Sequence, residues 1–135
     1  MAEEGEEINS VSFSPDSKTV VVGGIDQTIE LKDTDGRSLF KIKGHDAQIQ
    51  GVSFSPNGKI IASASDDKTI KLWSIDGSLL KTLSGHTHTV NSVSFSPKGE
   101  ILASASNDGT IKLWNTNGSL LRTLVGHTDG VKSIS

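Results

Sequence analysis

The sequence contains no cysteine, and aromatic residues make up only 4% of its 135 residues. The absence of cysteine excludes disulfide bonds and thiol chemistry, although it does not identify the compartment of the protein. Because aromatic side chains are scarce, any core must be built from Val, Ile, Leu and small residues.

Long apolar runs and an excess of positive charge are also missing. No stretch is long enough for a membrane span or a signal peptide, and the leader, residues 1–7, is acidic. The leader holds four of the 16 acidic residues, which leaves 12 against 13 basic residues elsewhere. The residues after the leader are therefore nearly neutral, and they lack the excess of positive charge that is typical of nucleic-acid-binding proteins. We expect a disordered leader, no nucleic-acid or membrane partner, and a cytoplasmic location.

A repeat with a period of 41 residues dominates the rest of the chain. Its copies are residues 8–48, 49–89 and 90–130, and residues 131–135 begin a fourth. The second and third copies are identical at 26 of 41 positions, the first and second at only 16. Self-similarity at this period is typical of repeat architectures, in contrast to an enzyme domain with one site.

Each copy contains four short strand patterns separated by turn residues. In the third copy the strands are predicted at 90–95, 101–106, 110–114 and 119–124. Four strands joined by short turns predict an antiparallel meander, so the fold class is all-β. Apolar runs at 60–62 and 79–80 predict that both faces of a sheet are covered, as when sheets stack around an axis.

Short motifs recur at fixed places in these copies. Gly-His stands at 44–45, 85–86 and 126–127, and Ser-Phe-Ser-Pro, Ala-Ser-Ala-Ser and Lys-Leu-Trp follow in order. This pattern resembles WD repeats over residues 8–135. The resemblance implies four-stranded β-propeller blades, three per chain: blade one (8–48), blade two (49–89) and blade three (90–130), with 131–135 starting a fourth. Ser74 and Asn115 replace the Asp of the family's Trp-Asp pair.

The resemblance also implies a buried hydrogen-bonded set in each of the two similar blades. A buried His needs partners for both ring nitrogens, and a buried indole N–H needs an acceptor. The expected sets are His45, Ser63 or Ser65, Asp67 and Trp73 in blade two, and His86, Ser104 or Ser106, Asp108 and Trp114 in blade three.

Two catalytic interpretations of these residues are less favoured. A Ser-His-Asp triad of a hydrolase occurs once, whereas this set recurs in each blade without an oxyanion element beside it. Zinc needs ligands that converge on one point, whereas His45, His86 and His127 should lie on different spokes of a ring. We therefore expect no enzymatic activity, no metal and no cofactor.

Blade one departs from the pattern. Lys32 stands at the Trp position, Val22 and Gly24 at the two serines, and Glu3-Glu4 at the Gly-His, so that only Asp26 of the set remains. Because a charged Lys32 must reach solvent or another chain, we expect blade one to act as a cap or a joint.

Three blades alone would leave two apolar sheet faces open, which invites association. Head-to-tail contacts close a ring: a homodimer with six blades is favoured, and a homotrimer with nine comes next. The alternative is a piece of a longer repeat array. In either case Ile8–Phe13 is expected to fill blade one, with residues 131–135 not replacing it.

The function that the resemblance implies is a non-catalytic scaffold that binds an unidentified protein partner. The alternative is a structural repeat array, designed or a fragment of a longer propeller, with no ligand of its own. Partner contacts are expected on the top face, formed by loops that vary between copies. The candidates are Ile25, Gln48, Gln50, Asp66, Thr89, Asn91, Asn107 and Gly130.

Overall fold

A computed structural model describes residues 7–24 and 26–126 of the chain. This part forms three four-stranded antiparallel sheets, and each sheet is a meander whose strands follow the chain order. Blade one contains β1 (Ile8–Phe13), β2 (Thr19–Gly24), β3 (Thr28–Asp33) and β4 (Ser38–Lys43). Blade two contains β5 (Ile49–Phe54), β6 (Ile60–Ser65), β7 (Ile70–Ser74) and β8 (Leu79–Leu83). Blade three contains β9 (Val90–Phe95), β10 (Ile101–Ser106), β11 (Thr110–Asn115) and β12 (Leu120–Val125).

The last strand of blade three begins one residue later than the sequence pattern predicts. Ser119 closes the preceding turn: its carbonyl accepts the Asn115 N–H at 2.9 Å, and its own N–H donates to Asn117 Oδ1 at 3.0 Å. Ile8–Phe13 pairs with β2 as the first strand of blade one. The expectation for residues 131–135 lies outside the described residues.

Consecutive sheets pack face to face, with their first strands β1, β5 and β9 adjacent. Alternate residues of each strand point to opposite faces, so blade two contacts blade one with one set and blade three with the other. The first junction buries Val21, Ile29, Leu31, Ile49, Val52, Phe54, Ile61 and Trp73. The second junction buries Ala62, Ala64, Ile70, Leu72, Leu83, Val90, Val93, Leu102 and Trp114.

The first turn of each blade has the same left-handed backbone residue. Gly58 and Gly99 have φ of 73° and 74°, and Ser17 has φ of 62° at the same place in blade one. Glycine tolerates this conformation, whereas serine is strained in it. The turn geometry therefore follows the repeat even where the residue does not.

The outermost strands differ from the sequence expectation. Ile61 and Ala62 are fully buried between neighbouring sheets, but Leu79 and Leu80 are about half exposed. The prediction that both faces are covered is thus wrong for the 79–80 run. The fourth strand of each sheet lies at the rim, where only part of it packs against a neighbouring sheet: Leu83 of β8 is buried in the second junction, and Phe40 and Ile42 of β4 pack against the first.

Candidate functional site

A continuous hydrogen-bond chain links His45, in the loop after β4, to the interior of blade two. His45 Nδ1 lies 2.8 Å from Asp67 Oδ2, and His45 Nε2 lies 2.7 Å from Ser63 Oγ. Trp73 Nε1 donates to the same Ser63 Oγ at 2.9 Å. One tautomer satisfies all of these groups: Nδ1–H donates to the carboxylate and Nε2 accepts the serine hydroxyl proton.

Blade three repeats the arrangement on the next set of strands. His86 Nδ1 lies 2.8 Å from Asp108 Oδ2, and His86 Nε2 lies 2.7 Å from Ser104 Oγ. Trp114 Nε1 donates to Ser104 Oγ at 2.9 Å. The side chains of both histidines are fully buried.

The structure distinguishes the two serines that the sequence left as alternatives. Ser63 bonds the His and the Trp, whereas Ser65 Oγ donates to the Gln48 carbonyl at 2.8 Å and accepts the Asp67 N–H at 3.1 Å. In blade three, Ser106 Oγ likewise donates to the Thr89 carbonyl at 2.8 Å. The second serine therefore holds the top-face loop in place.

A threonine and a lysine complete the set, although neither was among the residues expected from the sequence. Thr69 Oγ1 donates to Asp67 Oδ1 at 2.6 Å, and Lys71 Nζ donates to the Gly44 carbonyl at 2.9 Å. Thr110 repeats the first contact on Asp108. Their recurrence in Thr-Ile-Lys-Leu-Trp, 41 residues apart, was the signal that could have identified them.

This network connects two sheets. His45 and Gly44 follow the last strand of blade one, whereas Ser63, Asp67 and Trp73 all belong to blade two. The Asp46 N–H also donates to Asp67 Oδ2, at 3.2 Å. Each set therefore fastens the chain that leaves one blade onto the blade that follows.

The pKa values agree with a neutral His beside an ionised Asp. Burial lowers the pKa of His45, and of His86, below the ordinary 6.5, although the neighbouring carboxylate acts in the opposite direction. For Asp67, burial acts to raise the pKa, but hydrogen bonds from Thr69 and His45 hold it below the ordinary 3.8. The pKa of Asp108 is lowered in the same way.

The burial of the set determines what chemistry it can perform. Ser63 and Ser104 are fully buried, and each hydroxyl is shared between an imidazole and an indole. A nucleophile must be reached by its substrate, so this geometry supports structural hydrogen bonding. Within residues 7–24 and 26–126 no group of three or more His, Asp or Glu side chains could hold a metal.

Blade one keeps only the aspartate turn of the set. Asp26 Oδ1 accepts the Thr28 N–H at 3.2 Å and the Thr28 hydroxyl at 2.7 Å, as Asp67 does with Thr69. Lys32, at the Trp position, has a side chain 37% exposed, and its Nζ lies 3.8 Å from Glu30 Oε1. The lysine thus reaches solvent on the open face of blade one.

Two hydrogen-bonded pairs of polar side chains, one amide with acid and one amide with amide, lie at the top-face positions. Gln50 Nε2 donates to Asp66 Oδ1 at 3.0 Å, and Asn91 Nδ2 donates to Asn107 Oδ1 at 2.8 Å. Both Gln50 and Asn91 lie where the pairing of the first and second strands shifts register, and such a bulge re-aims a side chain. Gln48 and Thr89 contribute backbone carbonyls to the same loops. Ile25 and Gly130 lie outside the described residues.

The two outer blades each present an apolar face to solvent. On blade one, Ile8, Val11 and Phe13 are 57%, 55% and 62% exposed, whereas the equivalent Ile49, Val52 and Phe54 are buried. On blade three, Leu124 is 40% exposed, whereas the equivalent Leu83 is 3% exposed. The same side chains are thus buried at internal junctions and exposed at the two ends of the stack.

No helix in the described ranges is long and apolar enough to cross a membrane. Consecutive meander sheets, each fastened to the previous one by a buried His-Ser-Asp-Trp set, define a protein built of β-propeller blades.

Comparison with known proteins identifies the family. The model of the WD domain, G-beta repeat, matches residues 2–32, 36–74 and 77–115. The chain belongs to the WD40 family. The second and third matched units run from the last strand of one sheet to the third strand of the next, so each of these two spans one of the junctions described above.

Solved structures with the same architecture include "Structure of U3-55K" and "Crystal structure of RRP9 WD40 repeats". Each is 28% identical to this chain with a TM-score of 0.91, and each match covers 96% of this chain. The chain spans 42% of the length of each of these structures. The search of curated proteins gave no match.

Proposed function

We propose that this chain is a non-catalytic protein-interaction scaffold whose open blade faces associate with other copies to complete a propeller. WD40 domains generally mediate protein–protein interactions, and WD40 propeller scaffolds are generally non-catalytic. The buried hydrogen-bond sets then serve to keep the blades rigid.

The observation that carries this proposal is the exposure of Ile8, Val11 and Phe13. Their equivalents in blades two and three contribute to the junctions with the preceding blade. Exposed apolar surface of this kind favours association, and a head-to-tail contact repeats until the ring closes. We favour a homodimer with six blades over a homotrimer with nine.

Solution mass tests the proposal directly. Sedimentation equilibrium of the full chain should give about twice the chain mass of 14.2 kDa for six blades, or about three times for nine. A monomer at every concentration would contradict self-association. The open faces would then belong to contacts with other WD blades, as in a longer array.

The top face is the proposed surface for a different protein partner. It presents the Gln50–Asp66 and Asn91–Asn107 pairs, of which Asp66 and Asn107 lie on loops fastened by Ser65 and Ser106. Pull-down with the chain and with a Gln50→Ala, Asn91→Ala double variant tests this surface. Lys59→Ala, on an exposed first turn at the other end of the blade, is the matched control. Specific capture that both variants retain would contradict a top-face site.

One observation favours the second candidate, a structural array with no ligand of its own. The top-face polar side chains already bond one another, which leaves fewer free donors and acceptors for a partner. An array of this kind should capture no specific partner in the same experiment. The cytoplasmic location and the absence of nucleic-acid and membrane partners stay predictions of the sequence.

A further inference from the structure

A phenylalanine from each following blade fills the junction with the blade before it. Phe54 of blade two lies in the first buried cluster with Val21 and Leu31 of blade one. Phe95 of blade three packs against the second cluster, which holds Ala62 and Leu72 of blade two. These are the same positions, 41 residues apart.

Blade three has the matching socket. A pocket of about 280 Å³ opens on its free face, lined by Ile101, Ala103 and Leu113 among others. These three residues are the equivalents of Ile60, Ala62 and Leu72, which lie in the junction with Phe95. At the other end of the stack Phe13, the equivalent of Phe54 and Phe95, is 62% exposed. In the part of the chain that the structure describes, the blade-three socket therefore lacks the phenylalanine of a following blade, and Phe13 is the equivalent phenylalanine that no junction buries.

Polar groups on the first strands show the same complementarity. Ser10 Oγ accepts the Val52 N–H at 3.1 Å, and Ser12 Oγ accepts the Phe54 N–H at 3.2 Å, so β1 bonds to β5 through its serines. Strand β9 repeats the Asn-Ser-Val-Ser-Phe sequence of β1, whereas β5 has Gly51 in place of the first serine. The free side of β9 therefore has the hydrogen-bonding side chains of β1.

The first of these serines is unsatisfied. Ser92, the equivalent of Ser10, has a buried Oγ without a hydrogen-bond partner in the part of the chain that the structure describes. A buried hydroxyl without a partner costs free energy, so the site favours any backbone N–H that can reach it. By the repeat, the donor that fits is the N–H two residues before the phenylalanine of a following blade.

We propose that β1 of a second copy docks on blade three, with its Phe13 in the socket of Ile101, Ala103 and Leu113 and its Val11 N–H donated to Ser92 Oγ. This contact deepens the self-association proposed above and rests on it. Strand β1 carries Phe13 at the position that Phe54 and Phe95 occupy in the two internal junctions. Residues 131–135, whose structure lies outside the described part, contain no phenylalanine that could fill the socket.

Variants on each side of the contact provide the test. Phe13→Glu changes a side chain exposed within its own chain, and Ala103→Glu places a charge in the socket. Each should raise the dissociation constant of the full-length chain at least about 100-fold, as expected for loss of a buried phenylalanine, and leave the melting temperature of the monomer unchanged. If neither substitution altered the dissociation constant, the assigned contact would be overturned. The proposal that the chain self-associates would still stand.

A mixture of the two variants tests the head-to-tail pairing. Intact β1 of the Ala103→Glu chain can dock on the intact socket of the Phe13→Glu chain, so the mixture should form a species of about twice 14.2 kDa that neither variant forms alone. A mixture that stays monomeric while the wild type associates would overturn the pairing of unlike faces. A monomeric wild type would instead overturn self-association itself.

The serines separate an interface role from a structural one. Ser92→Ala removes a hydroxyl that has no partner among residues 7–24 and 26–126, so it should weaken association roughly 2- to 10-fold without lowering monomer stability. Ser10→Ala, its matched control, removes an acceptor used inside the chain and should lower monomer stability. Deletion of residues 128–135 should leave the number of chains in the assembly unchanged. If the chain without residues 128–135 were monomeric, the proposed contact would be wrong. It would also be wrong if the Ser92→Ala variant associated with the same dissociation constant as the wild type.

Discussion

Blade one and blade two form the same four-stranded meander with different interiors. Blade two has the His45, Ser63, Asp67 and Trp73 set, whereas blade one has Lys32 at the Trp position and Val22 at the serine. The order of the strands and the turn conformations are nevertheless the same. Formation of the sheet therefore does not require the hydrogen-bond set.

The difference shows what the set contributes. It bonds the loop that leaves one blade to the strands of the next, and Trp73 also packs in the cluster between them. Each hydrogen bond adds only about 1 kcal/mol net, but a buried partner left unpaired costs about 1–3 kcal/mol. The set is thus strong as a whole and sensitive to the loss of any one member.

Removal of an indole should have the largest effect. Trp73→Ala or Trp114→Ala should destabilise the chain by about 3–5 kcal/mol, because each leaves a cavity and an unpaired serine. Chemical denaturation measures the loss. Lys32→Ala, at the same position in blade one, is the control and should cost less than about 0.5 kcal/mol. A Trp73→Ala loss below about 1 kcal/mol would show that the indole is not part of the core.

Removal of one hydroxyl should have an intermediate effect. Ser63→Ala leaves both the Trp73 N–H and His45 Nε2 without their partner, which should cost about 1–3 kcal/mol in urea unfolding. Val22→Ala, at the equivalent position in blade one, controls for the loss of side-chain volume. Equal behaviour of Ser63→Ala and wild type would contradict the shared hydroxyl.

Stability should depend on pH through the two histidines. Their pKa values are lowered in the folded protein, so the unfolded state binds more protons below the ordinary 6.5. Stability should be fully present above about pH 6.5 and fall as the pH drops through the folded pKa values; a further loss below the ordinary 3.8 reflects Asp67 and Asp108. Urea unfolding between pH 8 and pH 2 measures both declines. A His45→Gln, His86→Gln double variant should lose most of the decline in stability that begins below about pH 6.5. If that decline were unchanged in the variant, groups other than these histidines would cause it.

A turn substitution should have the smallest effect. Lys68 has φ of 77°, where blade three has Gly109 with φ of 85°. Lys68→Gly relieves left-handed strain but adds flexibility to the unfolded chain, so it should stabilise by no more than about 1 kcal/mol. Lys59→Gly, in an exposed position without positive φ, should not stabilise. Thermal melting compares the two, and destabilisation by Lys68→Gly would contradict strain at this turn.

Much of the fold could be predicted because it depends on local, repeated signals. Turn residues such as Gly58 and alternating strands recur with the period, so the sheets and most strand bounds follow from them. The roles of Ser63 and Ser65 could not be separated, because both lie on one strand with the same local sequence. Which hydroxyl meets Trp73 depends on how β6 packs against β7 and against the loop that carries His45.

The sequence by itself determined the 41-residue unit, its four strands and the residue types of the buried set, since backbone turns and side-chain alternation act over a few residues. Only the tertiary structure decided which residues are covered. Phe13, Phe54 and Phe95 stand in the same local sequence, yet Phe54 is buried and Phe13 is exposed. Burial depends on whether another sheet lies against the strand, and that contact is made by residues distant in the chain.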